Sequence, residues 1–493
     1  MCNEIRSLGT QRRVRLGHDA CYRPPMSLVG RRFVTSASLL TLVAAIGVLP
    51  TLPAAAATDP VTSVAVGGRP SGAAISPDGT TAYVSNPGAS TVDIIDLAAG
   101  QLVTSIPVGA GVQPPVLNTS GTRLYVTTQA DSSLLIIDTA GRSVIGRIKV
   151  GSQPTGPIMS RDGSRLFIAN TGSDDVTIVD LASTSVASTV KVGDKPLRPV
   201  QGTGSQYASL DTLLFVTNSG DSTMSTIDLS TSRVVAEDGL GAGPSVPAVS
   251  PALGVVNNKV FVANNTDGTV TILDQTAGGE SAQVKAGKTP SGPVSSIDGT
   301  ALFVTNHAVG TITVLNTEKS PVTTAATITV GNGPTRPLLS PNGRILFVPN
   351  SEAATVSVID TNSLSVRGAY AVERGPLNLA LSSDAKTLVV PNSISGTVSV
   401  INLTTADLPF PPPSAKVKAK VKRATVSWAA SNEAGVTGYV VTASPGGRTC
   451  STAATTCTVR GLTPGKRYRF AVQAVNEFGT GAAVMSARVR IPK

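Results

Sequence analysis

Histidine, aromatic rings, sulfur and charge are all scarce in this sequence, and each shortage excludes something. The 493 residues hold two histidines, His18 and His307. That excludes a His-rich metal centre and a haem-attachment motif. Aromatic residues make up 3% of the chain, with Trp428 the single tryptophan. A sugar-stacking platform is therefore poorly supplied before residue 428. No Gly-rich phosphate loop, nucleophile elbow or Cys/His metal spacing occurs, so neither a cofactor nor a metal site is expected. The longest apolar run, residues 39–49, is too short to span a bilayer. Val, Thr, Ser and Gly are plentiful, and helix formers are few. Such usage reads as all-β. With 41% hydrophobic residues the chain can build globular cores, and its length calls for two or three domains.

The net charge of +10 is unevenly spread. Residues 58–408 carry 20 Lys/Arg against 26 Asp/Glu, whereas residues 409–493 carry 13 against two. An acidic middle precedes a small, strongly basic tail, and such asymmetry speaks of partners rather than fold. At the other end, Arg31 and Arg32 precede the 39–49 run, Pro50 and Pro53 break it, and Ala54 to Ala57 offer a small-residue cleavage site. Residues 1–57 thus read as a leader with a secretory signal, with Met26 a candidate true start. Export by the Sec or the twin-arginine route stays open. The mature protein is expected to be secreted, without a transmembrane helix. Its remaining cysteines, Cys450 and Cys457, stand seven positions apart and suggest a small disulfide loop, two free thiols being the alternative.

One pattern dominates the chain. Tyr83-Val84-Ser85-Asn86 is echoed by Tyr125-Val126-Thr127-Thr128, Phe167-Ile168-Ala169-Asn170 and Phe215-Val216-Thr217-Asn218. It continues as Phe261-Val262-Ala263-Asn264, Phe303-Val304-Thr305-Asn306, Phe347-Val348-Pro349-Asn350 and Val389-Val390-Pro391-Asn392. The steps are 42, 42, 48, 46, 42, 44 and 42 residues. Each unit opens with a Val-Gly…Pro loop, followed by a small-residue strand and a turn such as Ser76-Pro77-Asp78-Gly79. The motif strand, an alternating strand (91–96 in the first unit) and a last strand complete it. Pro presets φ in that turn, Asp bonds local backbone and Gly accepts positive φ. Four short strands per repeat of about 40–45 residues describe a propeller blade. The eighth unit stops after its third strand, and residues 61–66 have the fourth-strand pattern. Closure by both chain ends would remove exposed sheet edges. The expectation is an eight-bladed β-propeller over residues 58–407, with seven blades as the alternative if the fourth or fifth unit, which carry long inserts, is expelled.

These repeats resemble the YVTN family of β-propellers, found in bacterial and archaeal secreted and surface-layer proteins. Thr128 departs from the motif, and Pro349 and Pro391 each cost a ladder donor, which suggests a strand end or edge there. The family shares a superfamily with quinoprotein dehydrogenase subunits and lactonase or lyase propellers, so the resemblance does not fix an activity.

The recurrent Asn (Asn86, Asn170, Asn218, Asn264, Asn306, Asn350, Asn392) is read as a strand cap in left-handed geometry rather than a ligand ring. The Asp ending the third strand (Asp96, Asp138, Asp180, Asp228, Asp274, Asp360) is likewise read as structural, because no calcium-loop pattern surrounds it. Asp174-Asp175 is expected in a solvated turn. Function in propellers sits at the channel mouth. There the Val-Gly…Pro loops carry Arg69, Lys195, Arg198, Lys288, Arg336 and Arg374, a potential cationic ring for an anionic ligand. His307 follows the sixth motif in a turn and is the weak catalytic candidate, because a lyase would need a His near a carboxylate.

After a Pro-rich linker at 408–414, six short alternating segments at 416–422, 424–428, 438–443, 457–460, 468–475 and 487–491 suit a β-sandwich over 415–493. Trp428, Tyr439, Leu462-Thr463-Pro464-Gly465, Tyr468 and Phe470 resemble a fibronectin type III domain. The resemblance makes Trp428 the core tryptophan and Tyr468 the corner tyrosine, with Cys450 and Cys457 an addition that pins a hairpin. Lys416, Lys418, Lys420 and Lys422 alternate along the first strand and share one face. They either block edge pairing or attach to an anionic surface. The expected partner is a cell-wall or other anionic polymer, or an extracellular protein. Nucleic acid is not expected. The functional reading is an exported, non-enzymatic binding or scaffold protein. The alternatives are a polysaccharide-degrading enzyme or its accessory, and a propeller lyase or lactonase using His307.

Overall fold

A computed structural model of the chain describes residues 61–203, 210–251, 259–275, 281–403, 412, 415–430, 436–476 and 479–493. The expected leader, the start at Met26 and nearly all of the expected linker lie outside these residues. Apart from two single turns of 3-10 helix, Leu210–Thr212 and His307–Val309, the described regular structure is β. No helix among the described residues is long and apolar enough to cross a membrane.

The repeats fold into eight four-stranded antiparallel sheets, an arrangement consistent with a propeller. The first runs in order through Gly72–Ile75, Thr81–Asn86, Thr91–Asp96 and Gln101–Pro107. Its first turn shows why the sequence bends there. Ser76 Oγ donates to Asp78 at 2.5 Å and accepts from the Thr81 N–H at 3.0 Å, while Gly79 takes φ 72°. The eighth sheet is completed by Val61–Ala65, which pairs antiparallel with Thr397–Asn402, Val64 facing Val398. The fourth and fifth sheets each have four strands.

The motif strand is apolar nearly throughout because both of its faces are covered. Phe167, Phe215, Phe261 and Phe303 occupy the same motif position and are buried, each burial contributing about 1.5–3 kcal/mol. The apolar core is divided among eight clusters, each shared by two consecutive sheets. The last of them joins Val64, Val389 and Val398 of the eighth sheet to Ala82, Val84 and Ile95 of the first. The outer strand pair carries a register shift in six sheets, for example between Ile94 and Ile95, which sharpens its twist.

Several sequence expectations change here. The motif Asn are not left-handed caps. Asn306 is extended (φ −116°, ψ 94°), and its side chain is buried. Its Nδ2 reaches across the hairpin to Thr311 Oγ1 at 3.1 Å and Thr313 Oγ1 at 2.9 Å. Asn170, Asn218, Asn264 and Asn350 make the same pair of bonds five and seven residues ahead. The positive φ falls instead within the turn that follows, at Ser90, Asp174 and Ser222. Asp175 is buried rather than solvated, accepting from Asn170 Nδ2 at 2.7 Å. Pro349 and Pro391 lie inside second strands, not at sheet edges. Each is tolerated because its inner neighbour is a loop beyond a two-residue strand, and its carbonyl still accepts from that loop's N–H. The strand-ending Asp behave as expected: Asp96 accepts from the Ala98 and Ala99 N–H groups at 2.9 and 2.8 Å.

The C-terminal sandwich packs two sheets around one core. Ala415–Lys420, Arg423–Trp428 and Thr456–Arg460 form one sheet, with Arg423–Trp428 central. Thr449–Thr452, Gly438–Ser444, Arg467–Asn476 and Gly479–Met485 follow in order in the other, with Val489–Arg490 also paired to Arg467–Asn476. Thr449–Thr452 and Gly479–Met485 were not expected, since neither alternates cleanly between apolar and polar. Cys450 and Cys457 are disulfide-bonded. They lie in different sheets, so the bond staples the sandwich and does not pin a hairpin.

Candidate functional site

The inner strands of the eight sheets are short. Just before each, or within it in the sixth sheet, one residue donates its N–H to, or pairs with, the penultimate residue of the motif strand, as Thr155 does to Ala169 O and Thr335 to Pro349 O, both at 2.8 Å. The residue after it is Gly72, Pro114, Gly156, Arg198, Val246, Gly292, Arg336 and Asn378 in successive repeats. These eight positions approach one another. An added Cβ on Gly72 would lie 2.7 Å from Pro114 Cβ, and one on Gly292 would lie 2.6 Å from Arg336 Cα. Asn378 Nδ2 donates to Ser71 O at 2.7 Å, joining the eighth repeat to the first.

A cavity of about 440 Å³ opens where they meet, with lining residues from six sheets. A second of about 260 Å³ draws on the third, fourth, fifth and seventh. Arg198 and Arg336 line both, and no carboxylate lines either. Neither arginine has a hydrogen bond or ion pair among the described residues, and Arg198 Nε is buried without a partner. The Arg336 residue is open to water, yet protein surrounds it. Burial lowers the pKa of both guanidiniums. Arg198 falls to about 10, with repulsion from Arg336 adding to its burial. Both remain cationic at neutral pH. Arg161 lines the smaller cavity but is engaged, donating from Nε to Gly202 O at 3.0 Å.

The six expected cations do not gather in one ring. Arg69, Lys195, Lys288 and Arg374 are exposed and line neither cavity. Lys195 lies 3.5 Å from Asp194. The reason is register. These four stand one or two residues before the proline that approaches the motif Asn, whereas Arg198 and Arg336 stand two residues after it. His307 is half-buried. Its Nε2 lies 3.6 Å from Glu352 and its Nδ1 3.3 Å from Pro334 O, outside both cavities. Glu352 went unnoticed because it lies in the next repeat.

On the sandwich, Lys416, Lys418 and Lys420 are exposed on the outward face of an edge strand. Lys422 is not on that strand. It sits in the following turn at φ 58°. Register sets Lys420 opposite Arg423, and Arg423 opposite Arg460, so two further exposed cations extend the basic face. Parity across the turn would have revealed Arg423; Arg460 needed the sheet order.

Inside the sandwich, Trp428 packs on Tyr439 with ring centroids 5.2 Å apart, and both belong to the core with Phe470. Tyr468 Oη accepts the Thr463 N–H at 3.1 Å, as a corner tyrosine does. Residues 411–489 match the fibronectin type III domain. No curated protein matches the chain. Among solved structures, Kuenenia stuttgartiensis hydrazine synthase is similar at a TM-score of 0.49 and 20% identity, over 60% of this chain and 96% of that one. The fibronectin type III domain suggests a binding or scaffold role for the chain.

Proposed function

We propose that this is an exported, non-enzymatic binding protein. Its eight sheets form an eight-bladed YVTN-type propeller that presents a ligand-binding face. Its fibronectin type III domain attaches to an anionic polymer of the cell envelope. The eight-bladed reading is supported by eight complete sheets and by the strand Val61–Ala65 filling the eighth. Attachment rests on one observation. Lys416, Lys418, Lys420, Arg423 and Arg460 share an exposed face of one three-stranded sheet that carries no carboxylate. Such a face draws a polyanion by summed potential, and its hold weakens with salt.

The test is co-sedimentation of the full chain with purified cell wall at low and high salt. Pelleting should fall with salt and be lost in the K416E/K418E/K420E variant. Equal pelleting of the variant would remove the attachment reading. A second reading, a propeller lyase or lactonase, is favoured by Glu352 beside His307. If an activity is found, His307→Ala should abolish it; unchanged turnover ends that reading.

A further inference from the structure

We propose that the paired arginines where the inner strands converge form a binding site for one small organic oxyanion, a carboxylate or phosphate with a short apolar body. The inference deepens the binding role proposed above and rests on it, but uses a site separate from the sandwich face.

Two guanidiniums facing shared space without a carboxylate are an unbalanced arrangement. The surrounding protein disfavours both charges and lowers both pKa values, and at Arg198 repulsion from Arg336 adds to it. Buried charge is usually paired. Here Arg198 Nε is buried and unpartnered, and a guanidinium offers a planar fork matched to two oxygens of a carboxylate or phosphate. An oxyanion set between the two would supply the missing acceptors and cancel the repulsion. Size and lining set the rest of the ligand. A cavity of about 440 Å³ lies in the range of small-molecule sites. Pro114, Pro115, Val294, Leu338, Leu339 and Leu379 give it apolar walls.

The repeats support the assignment. The same position holds Gly, Pro, Gly, Val, Gly and Asn in the other six units. None of these can replace a guanidinium, so at this position charge comes only from the fourth and seventh repeats. Neither arginine serves a repeated structural bond, unlike the motif Asn and the turn Asp.

Calorimetric titration and thermal melting of the purified full chain would decide. The probes are inorganic phosphate, hexyl phosphate, hexanoate and neutral hexanamide. Phosphate and hexyl phosphate against hexanoate separates the two head groups. Saturable binding of at least one anion is expected, tenfold or more tighter with the alkyl chain, and none of hexanamide. Arg198→Met with Arg336→Met should weaken that binding at least a hundredfold. Arg336→Met alone should raise the melting temperature in anion-free buffer and abolish its rise with anion. If the double variant does not fold, Arg336→Met, whose side chain meets water, carries the test. No saturable binding by the wild type, or binding within twofold in the variants, would overturn the proposal. Binding retained in K416E/K418E/K420E is expected and keeps this site distinct from polymer attachment.

Discussion

The repeat region and the fibronectin type III domain solve one problem, covering β-sheets, in opposite ways. The repeats spread their apolar core over eight clusters, each between two sheets, and carry a buried Asn at the end of the motif strand in seven of the eight. The sandwich concentrates everything in one cluster around Trp428, Tyr439 and Phe470, with a disulfide across its sheets. Charge follows the same division. Acid residues of the repeats are used locally in turns, whereas the sandwich displays its cations outward. Where a residue recurs in every repeat, its job recurs too, and that job is structural. Binding capacity then resides where repetition fails, at Arg198 and Arg336, or where repetition never applied, on the sandwich.

The comparison breaks most sharply at Trp428. Trp428→Ala should cost the sandwich about 3–5 kcal/mol, a large share of a small domain's stability. Calorimetry should show its transition falling or vanishing while that of the repeats stays. A simultaneous shift of both would mean the two regions do not melt independently. Next comes the staple. Cys450 and Cys457 close a loop of eight residues, so replacing both with Ser should cost about 2.5 kcal/mol on loop-closure entropy. Only the sandwich transition should move.

Much of this contrast was legible from the residues. The motif strand announces itself because burial on both faces forces a short apolar run that cannot hide in alternation. The unpaired strand at 61–66 could be matched to the open eighth repeat because only one repeat lacked a fourth strand. The role of the motif Asn was misread because its partners are not in its own turn. They are hydroxyls five and seven residues on, such as Thr269 and Thr271 for Asn264. That spacing was present in the sequence. The central position was harder. One residue per repeat lines the convergence, and its identity changes from Gly to Pro to Arg, so a search for recurrence passes over it. Cations a few residues apart on similar loops looked equivalent, yet strand register sends them to different places.

Asn306→Ala sharpens the structural half of the comparison. It removes two hydrogen bonds and leaves the Thr311 hydroxyl and Thr313 side chain with fewer partners in a buried hairpin. The cost should be about 2 kcal/mol, read as a lower denaturation midpoint of the repeat transition. The same change at Thr128, the one motif position without Asn, should cost less, since its hydroxyl is already unpartnered. Equal losses at the two sites would deny that the Asn side chain is what secures the hairpin.

The smallest effect concerns the turn carboxylates. Ser160 Oγ donates to Asp162 at 2.6 Å, and the Ser164 N–H and hydroxyl donate as well, holding its pKa at about 2. The folded value lies below the unfolded one of about 4. The unfolded chain therefore takes up the proton first. The contribution is complete above about pH 4 and is lost as pH falls through about 2. Because this turn is solvent-exposed, screening leaves the effect under about 1 kcal/mol. Asp162→Asn should lower stability slightly at pH 7 and flatten its decline between about pH 4 and 2. Denaturation midpoints of the repeat transition at both ends of that window would show it. An unchanged pH slope would mean that these serines shape the turn without favouring the charged carboxylate.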